Sequence, residues 1–256
     1  MENVNLRSGY EIPVVGLGTW DLRGRTCQRA VKEALALGYT HIDTAWYYEN
    51  QRSIGEALRG VDVDRSALFI TSKVWMSHLR YDDALKQCEE NVRDLQTEYV
   101  DLMLIHWPND SVPVKETLRA FQETVEAGLA KSIGVSNFSV DQMEEAVAVS
   151  DVPISVNQIS YSPGSEQRDV LAWCREKDVV VTSYSPLAKR RILNDPMLAK
   201  IGSCLGRSVA QVALKWLIQK GMVVIPKSSS KNHLAENLDV MNWELGQEEM
   251  DQIDAM

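Results

Sequence analysis

Short runs of apolar, largely β-branched residues recur along the chain, and between them the apolar positions fall at helical intervals. The runs are VVGLG (14–18), HIDTA (41–45), LFITSK (68–73), VDLMLIH (100–106), SIGVS (132–136), ISVNQI (154–159), VVVTSYS (179–185) and MVVIPKS (222–228). Their apolar character is mostly continuous, which predicts strands covered on both faces. In the first intervening segment Ala30, Val31, Ala34 and Leu35 share a stripe, while Arg29, Lys32 and Glu33 face away. Gly38 stands where a helix C-terminus favours glycine. A second stripe runs through Leu85, Cys88, Val92 and Leu95. Residues 4–12, around Ser8-Gly9, predict a small hairpin ahead of the repeat.

Eight strand-helix units can close as a barrel or open as a doubly wound sheet. The open sheet favours a GxGxxG phosphate loop after its first strand. Here the first strand reads Gly16-Leu17-Gly18-Thr19-Trp20-Asp21, which lacks the third glycine and sets a Trp where phosphate would approach. The expectation is therefore an α/β protein, a single (β/α)8 TIM barrel over residues 1–256, with 1–13 as a hairpin cap. The length of 256 residues suits such a barrel, and no Pro/Ser/Gly-rich linker divides the chain.

Composition narrows the partners. A formal charge of −9 argues against nucleic acid or an anionic membrane, so a small molecule is the expected partner and a monomer the expected state. No run reaches membrane-spanning length, and MENVNLRSGYEIP has no apolar signal core. Cys27, Cys88, Cys174 and Cys204 lie far apart without CxxC spacing, which predicts buried free thiols and a reducing, cytoplasmic setting. His41, His78, His106 and His233 have no ligand-like spacing, so no metal is expected.

Four polar residues fall at or just after strand ends: Asp43, Tyr48, Lys73 and His106. In a barrel such ends converge on one rim. A phenol titrates near pH 10 unperturbed, and a nearby ammonium favours its ionised form. Lys73 can act so while charged, Asp43 favours that charge, and His106 can orient an oxygen-bearing substrate. The set suits protonation of an oxygen on which negative charge develops. Plainer readings exist for each: an Asp capping a helix, a packed Tyr, a rim Lys, a core His. A Schiff-base role for Lys73 ranks lower, because Asp43 opposes the depressed pKa that such an amine needs.

The residues quoted so far, with others in the same order, resemble the aldo-keto reductase family. The matching segments are GLGTW (16–20), DTAWYYEN (43–50), TSKVW (71–75), LIHWP (104–108), GVSNF (134–138), VNQISYSP (156–163), SYSPL (183–187) and IPKSSS (225–230). The resemblance implies a barrel that binds NAD(P)H and reduces aldehydes or ketones. It implies Tyr48 as general acid, Lys73 and Asp43 as its tuning pair, and His106 as the residue that orients the carbonyl. Ser136, Asn137 and Gln158 match the carboxamide-holding positions, and Tyr184 the ring that stacks on nicotinamide. Gly18, Thr19, Asp43, Ser185 and Leu187 fall among the implied cofactor contacts. Lys227 and Ser228 match the 2′-phosphate site, and Glu236 with Asn237 the adenine contacts. Trp20, Tyr47, Trp75, His106 and Trp107 are the implied substrate pocket.

The chain also departs from the family pattern. Lys227 and Ser228 favour NADPH, but His233 stands where an Arg usually clamps the 2′-phosphate, which weakens that preference and admits NADH. Gln51 replaces a Glu, Glu49 a frequent Gly, and Ala188 a common Gly ahead of Lys189, Arg190 and Arg191, read as a solvated basic turn. Trp46 adds bulk beside Tyr48. The chain resembles a short, prokaryotic-type member without the extended C-terminal loop, which predicts an open site and broad selectivity. A nucleotide-sensing protein or a structural protein on the same scaffold are the alternatives to an enzyme.

Overall fold

Asn3–Asn5 (β1) and Glu11–Pro13 (β2) pair antiparallel with Val4 opposite Ile12, and Gly9 turns the chain with φ 86°. The computed structural model describes residues 2–256, so Met1 of the expected hairpin cap lies outside the described residues. Leu6 and Ile12 of the hairpin join Phe69, Leu102, Leu104, Val156, Val180 and Val223 in one apolar cluster. The hairpin thus plugs one end of the barrel interior with its own side chains.

The barrel strands are Leu17–Gly18 (β3), His41–Asp43 (β4), Phe69–Val74 (β5), Val100–Ile105 (β6), Ala130–Ser136 (β7), Ile154–Ser160 (β8), Val180–Tyr184 (β9) and Val223–Val224 (β10). Each pairs parallel with the next in chain order. A parallel bridge between Val15 and Val224 brings the last strand to the first. Two hydrogen bonds of 2.8 Å, Gly16 N–H to Val224 O and Val224 N–H to Val14 O, make this seam. The fold is the expected (β/α)8 barrel.

The helices are Gly24–Leu37 (α1), Gln51–Arg59 (α2), Tyr81–Asp94 (α3), Val114–Glu126 (α4), Val140–Val149 (α5), Arg168–Glu176 (α6), Pro196–Leu205 (α7), Val209–Gln219 (α8), Lys231–Leu238 (α9) and Gln247–Asp254 (α10). α1 buries Ala30, Val31 and Ala34 as its stripe predicts. Gly38 ends it at φ 99°, and the chain turns back through hydrogen bonds from Gly38 and Tyr39 to Leu35 and Ala34. α5 and α8 each start with a capping box, Ser139 with Gln142 and Ser208 with Gln211.

The structure differs from the sequence reading in three places. The first and last strand runs shrink to two residues each in β3 and β10, because closure there rests on a few seam bonds. Two helices, α7 and α8, fill the space between β9 and β10. Three of the cysteines are buried free thiols, but Cys204, near the end of α7, is exposed.

Candidate active site

Strand ends β4 to β9 deliver polar side chains to one rim, because parallel pairing keeps every C-terminal end on the same side. Asp43 closes β4, Lys73 lies one residue from the end of β5, and His106 follows β6. Tyr48 ends a single 3-10 turn, Trp46–Tyr48. The Lys73 Nζ is fully buried and donates to Asp43 Oδ1 at 2.6 Å, Thr44 O at 2.8 Å and Tyr48 Oη at 3.4 Å. All three ammonium hydrogens are therefore used, which a buried cation requires. Asp43 takes a second hydrogen bond through Oδ2, from Gln158 Nε2 at 2.7 Å. Its carbonyl oxygen accepts from Thr19 Oγ1 at 2.8 Å.

Electrostatics at this cluster run differently from the sequence expectation for Tyr48. Burial is the largest influence on the phenol and pushes it well above its usual value, with Asp43 and Tyr184 adding to the rise. Burial likewise lowers Lys73, while Asp43 opposes that through its charge and its hydrogen bond. His106 is lowered to about 2, first by burial and then by the Lys73 charge. Its ring is neutral across the physiological range, and its buried Nδ1 has no partner among the described residues. Trp75 at 5.0 Å and Tyr48 at 5.5 Å meet the imidazole edge-on and fix its plane.

The four residues face a cavity of about 280 Å³, except Lys73, which stands behind Asp43 and Tyr48. Its walls include Gly18, Thr19, Trp20, Tyr47, Trp75 and Trp107. Tyr47 stacks on Trp75 with ring centroids 3.9 Å apart and lies parallel to Trp20 at 6.0 Å. All five expected substrate-pocket residues line this cavity. Trp46 instead packs on His78 and leaves the wall to its neighbours.

The cavity is also lined by Ser136, Asn137, Gln158, Tyr184 and Ser185. Here the expected amide-holding residues bind one another. Ser136 Oγ donates to Gln158 O, and Asn137 Nδ2 donates to Ser136 Oγ and His106 O, at 2.7, 3.0 and 3.0 Å. Tyr184 Oη donates to Asn137 Oδ1 at 2.9 Å. Asn137 adopts φ 65°, a left-handed position that asparagine tolerates. Among the described residues Gln158 Oε1 has no hydrogen-bond partner, and it is an acceptor that suits a carboxamide N–H.

Five expected cofactor residues lie outside the cavity wall: Leu187, Ser228, His233, Glu236 and Asn237. Ser228 is engaged with Ser230, Leu187 packs on the core, and Asn237 is buried within α9. His233 is exposed on the same helix. Lys227 and Lys189 both line the cavity, so the basic turn after β9 contributes one of its three cations to the wall.

Two residues that support this arrangement had only weak signals in the sequence. Buried Asn50 donates to Thr19 O and Leu22 O at 2.9 and 3.0 Å and accepts from Thr44 Oγ1 at 2.7 Å. It ties the loop after β3 to the Tyr48 turn. Gln51, noted only as a departure, accepts from Ser72 Oγ at 2.6 Å and donates to Asn91 Oδ1 at 2.9 Å. Each amide atom is matched, so a neutral side chain suits this buried position behind β5.

A family model described as the aldo/keto reductase family matches residues 14–256. The chain is 38% identical over 256 residues to a glyoxal reductase of Bacillus subtilis (strain 168), covering 100% of this chain and 92% of that protein. It is 40% identical over 248 residues to a methylglyoxal reductase of Escherichia coli O157:H7, covering 96% and 93%. Among solved structures, an aldo-keto reductase complexed with NADPH superposes with a TM-score of 0.93 at 34% identity, covering 99% of this chain and 87% of that one.

Proposed function

Since the chain belongs to the aldo/keto reductase family, we propose that it reduces aldehydes or ketones to alcohols with NADPH. The observation that carries this reading is the chain of contacts from Asp43 through Lys73 to Tyr48, ending at a cavity that His106 also lines. The cofactor, when bound, supplies hydride from nicotinamide C4. The free Oε1 of Gln158, the ring of Tyr184 and the cations Lys189 and Lys227 fit the carboxamide, the flat ring and the phosphates of such a molecule. Ser228, His233, Glu236 and Asn237 lie beyond the cavity, where the adenosine end would extend.

Tyr48 gives its proton to the carbonyl oxygen as hydride arrives. An alkoxide is far more basic than any phenolate, so a phenol with a raised pKa still protonates it. The Lys73 ammonium then acts on the phenolate left behind, which it stabilises at 3.4 Å in a site shielded from water. Asp43 keeps that ammonium charged against burial. His106 has its Nδ1 sealed away from any partner, which leaves Nε2 to carry the hydrogen and donate to the substrate oxygen. The stacked Trp20, Tyr47 and Trp75 rings offer the apolar part of the substrate a surface to pack on.

We place the protein in the cytoplasm as a monomer made of one barrel domain, residues 1–256. Unpaired thiols support the reducing setting, and no helix among the described residues is long and apolar enough to cross a membrane. The names of the relatives make glyoxal and methylglyoxal the first carbonyls to try. The test is oxidation of NADPH in the presence of an aldehyde panel, for the wild type and for Tyr48→Phe. The variant should bind NADPH normally and lose about 100-fold or more of its turnover. Near-normal turnover without the phenol would sink the assignment.

A further inference from the structure

We propose that Arg23 is a positioning residue for the proton donor, fastening the Tyr48 turn from outside through its pair with Glu49. The inference rests on the reading of Tyr48 as general acid, and on geometry around one guanidinium. Arg23 Nη1 donates to the Tyr48 carbonyl oxygen at 3.1 Å and to Glu49 Oε2 at 3.0 Å. A single nitrogen thus grips the main chain of the proton donor and the side chain of the residue after it. Arg23 is itself anchored, since its carbonyl accepts from Thr26 and Cys27 at the start of α1.

Glu49 needs such a partner. It sits at φ 52° and ψ 31°, the left-handed region that a residue with a Cβ enters at a cost and glycine enters freely. The turn it closes is short, held by hydrogen bonds from Tyr48 N–H to Ala45 O and from Glu49 N–H to Trp46 O, both 3.1 Å. Relaxing Glu49 toward negative φ would pull on both bonds and move the Tyr48 ring. The Arg23 contact opposes that relaxation. Asn50 clamps the same two segments from beneath, so the loop that carries Trp20 and the turn that carries Tyr48 are joined on both sides. The side chains of Arg23 and Glu49 are 54% and 77% exposed, so the pair adds little to global stability and its effect is local.

The test is a double-mutant cycle of Arg23→Met and Glu49→Gly, read by amide hydrogen exchange at Tyr48 and Glu49 and by steady-state kinetics. Arg23→Met should speed exchange at both amides and lower kcat about three- to tenfold, while Tm and the Kd for NADPH stay unchanged. Adding Glu49→Gly, which removes the strain, should bring kcat and exchange back to within about twofold of the wild type. Arg23→Lys, which keeps the charge, should fall between. Unchanged exchange in Arg23→Met, or a kcat loss that Glu49→Gly does not relieve, overturns the proposal. Exchange needs no turnover, so a wild type without reductase activity would sink the proposed reaction and leave the latch to be decided by exchange alone.

Discussion

His233 is exposed on α9, and an imidazole there lacks the bidentate guanidinium fork that grips a phosphate dianion. His233→Arg should therefore tighten NADPH binding by about fivefold or more and leave NADH unchanged, measured by quenching of Trp fluorescence. Equal gains for both cofactors would mean that the side chain does not reach the 2′-phosphate. At this scale the sequence was most legible where chemistry coincides with a strand end. Asp43, Tyr48, Lys73 and His106 could be singled out because few residue types follow an apolar run by accident. Their partners were less visible, since Gln158 meets Asp43 across 115 positions and no local pattern signals it. The resting state of Tyr48 was misjudged for a related reason. Desolvation depends on everything packed around a group, and in this pocket burial, with Asp43 and Tyr184, raises the phenol.

At the scale of elements, the runs covered on both faces gave the middle strands, β5 to β9, at nearly their full length. The outer two strands, β3 and β10, were overestimated because apolar character says that a segment is buried and not that it is paired. Their seam rests on a few backbone bonds and, beside them, one close backbone approach. A Cβ on Gly18 would lie 2.5 Å from Ile225 O, closer than any side chain tolerates. Gly18→Ala should force the two strands apart and destabilise the fold by about 1–3 kcal/mol, read from urea unfolding. Loss of that size with the β4–β5 pairing intact, by hydrogen exchange, would localise the damage to the seam; no loss would show that the strands give way freely. The helices were read well where one stripe is apolar, as in α1. α3 also buries Gln87 and Asn91, which share the face of its apolar stripe but whose polarity gives no sign of burial. Gln87 earns its place by accepting from the Trp75 backbone at 2.6 Å, a contact that only the folded chain reveals.

Across the whole molecule, two histidines are buried in their neutral form. Burial lowers His41 to about 4 and His106 to about 2, against about 6.5 for an unfolded chain. A depressed pKa in the fold means that this contribution is complete above pH 6.5 and declines as the pH falls toward the folded values. By pH 5 the unfolded chain has gained roughly 2 kcal/mol from each histidine, so unfolding at pH 5.0 should be easier than at pH 7.5 by about 4 kcal/mol. Urea midpoints at the two values measure this, and coincident midpoints would refute it. The closing seam has a consequence of another kind. Gly18 and Thr19 stand on one bank of it and Ile225 and Lys227 on the other, and all four border the same cavity. A molecule seated there is a rivet across a join held by few backbone bonds, and it can be held only while the join is shut. The lifetime of the protein against proteases then follows the supply of what it binds: a starved barrel is discarded early, and a furnished one is kept.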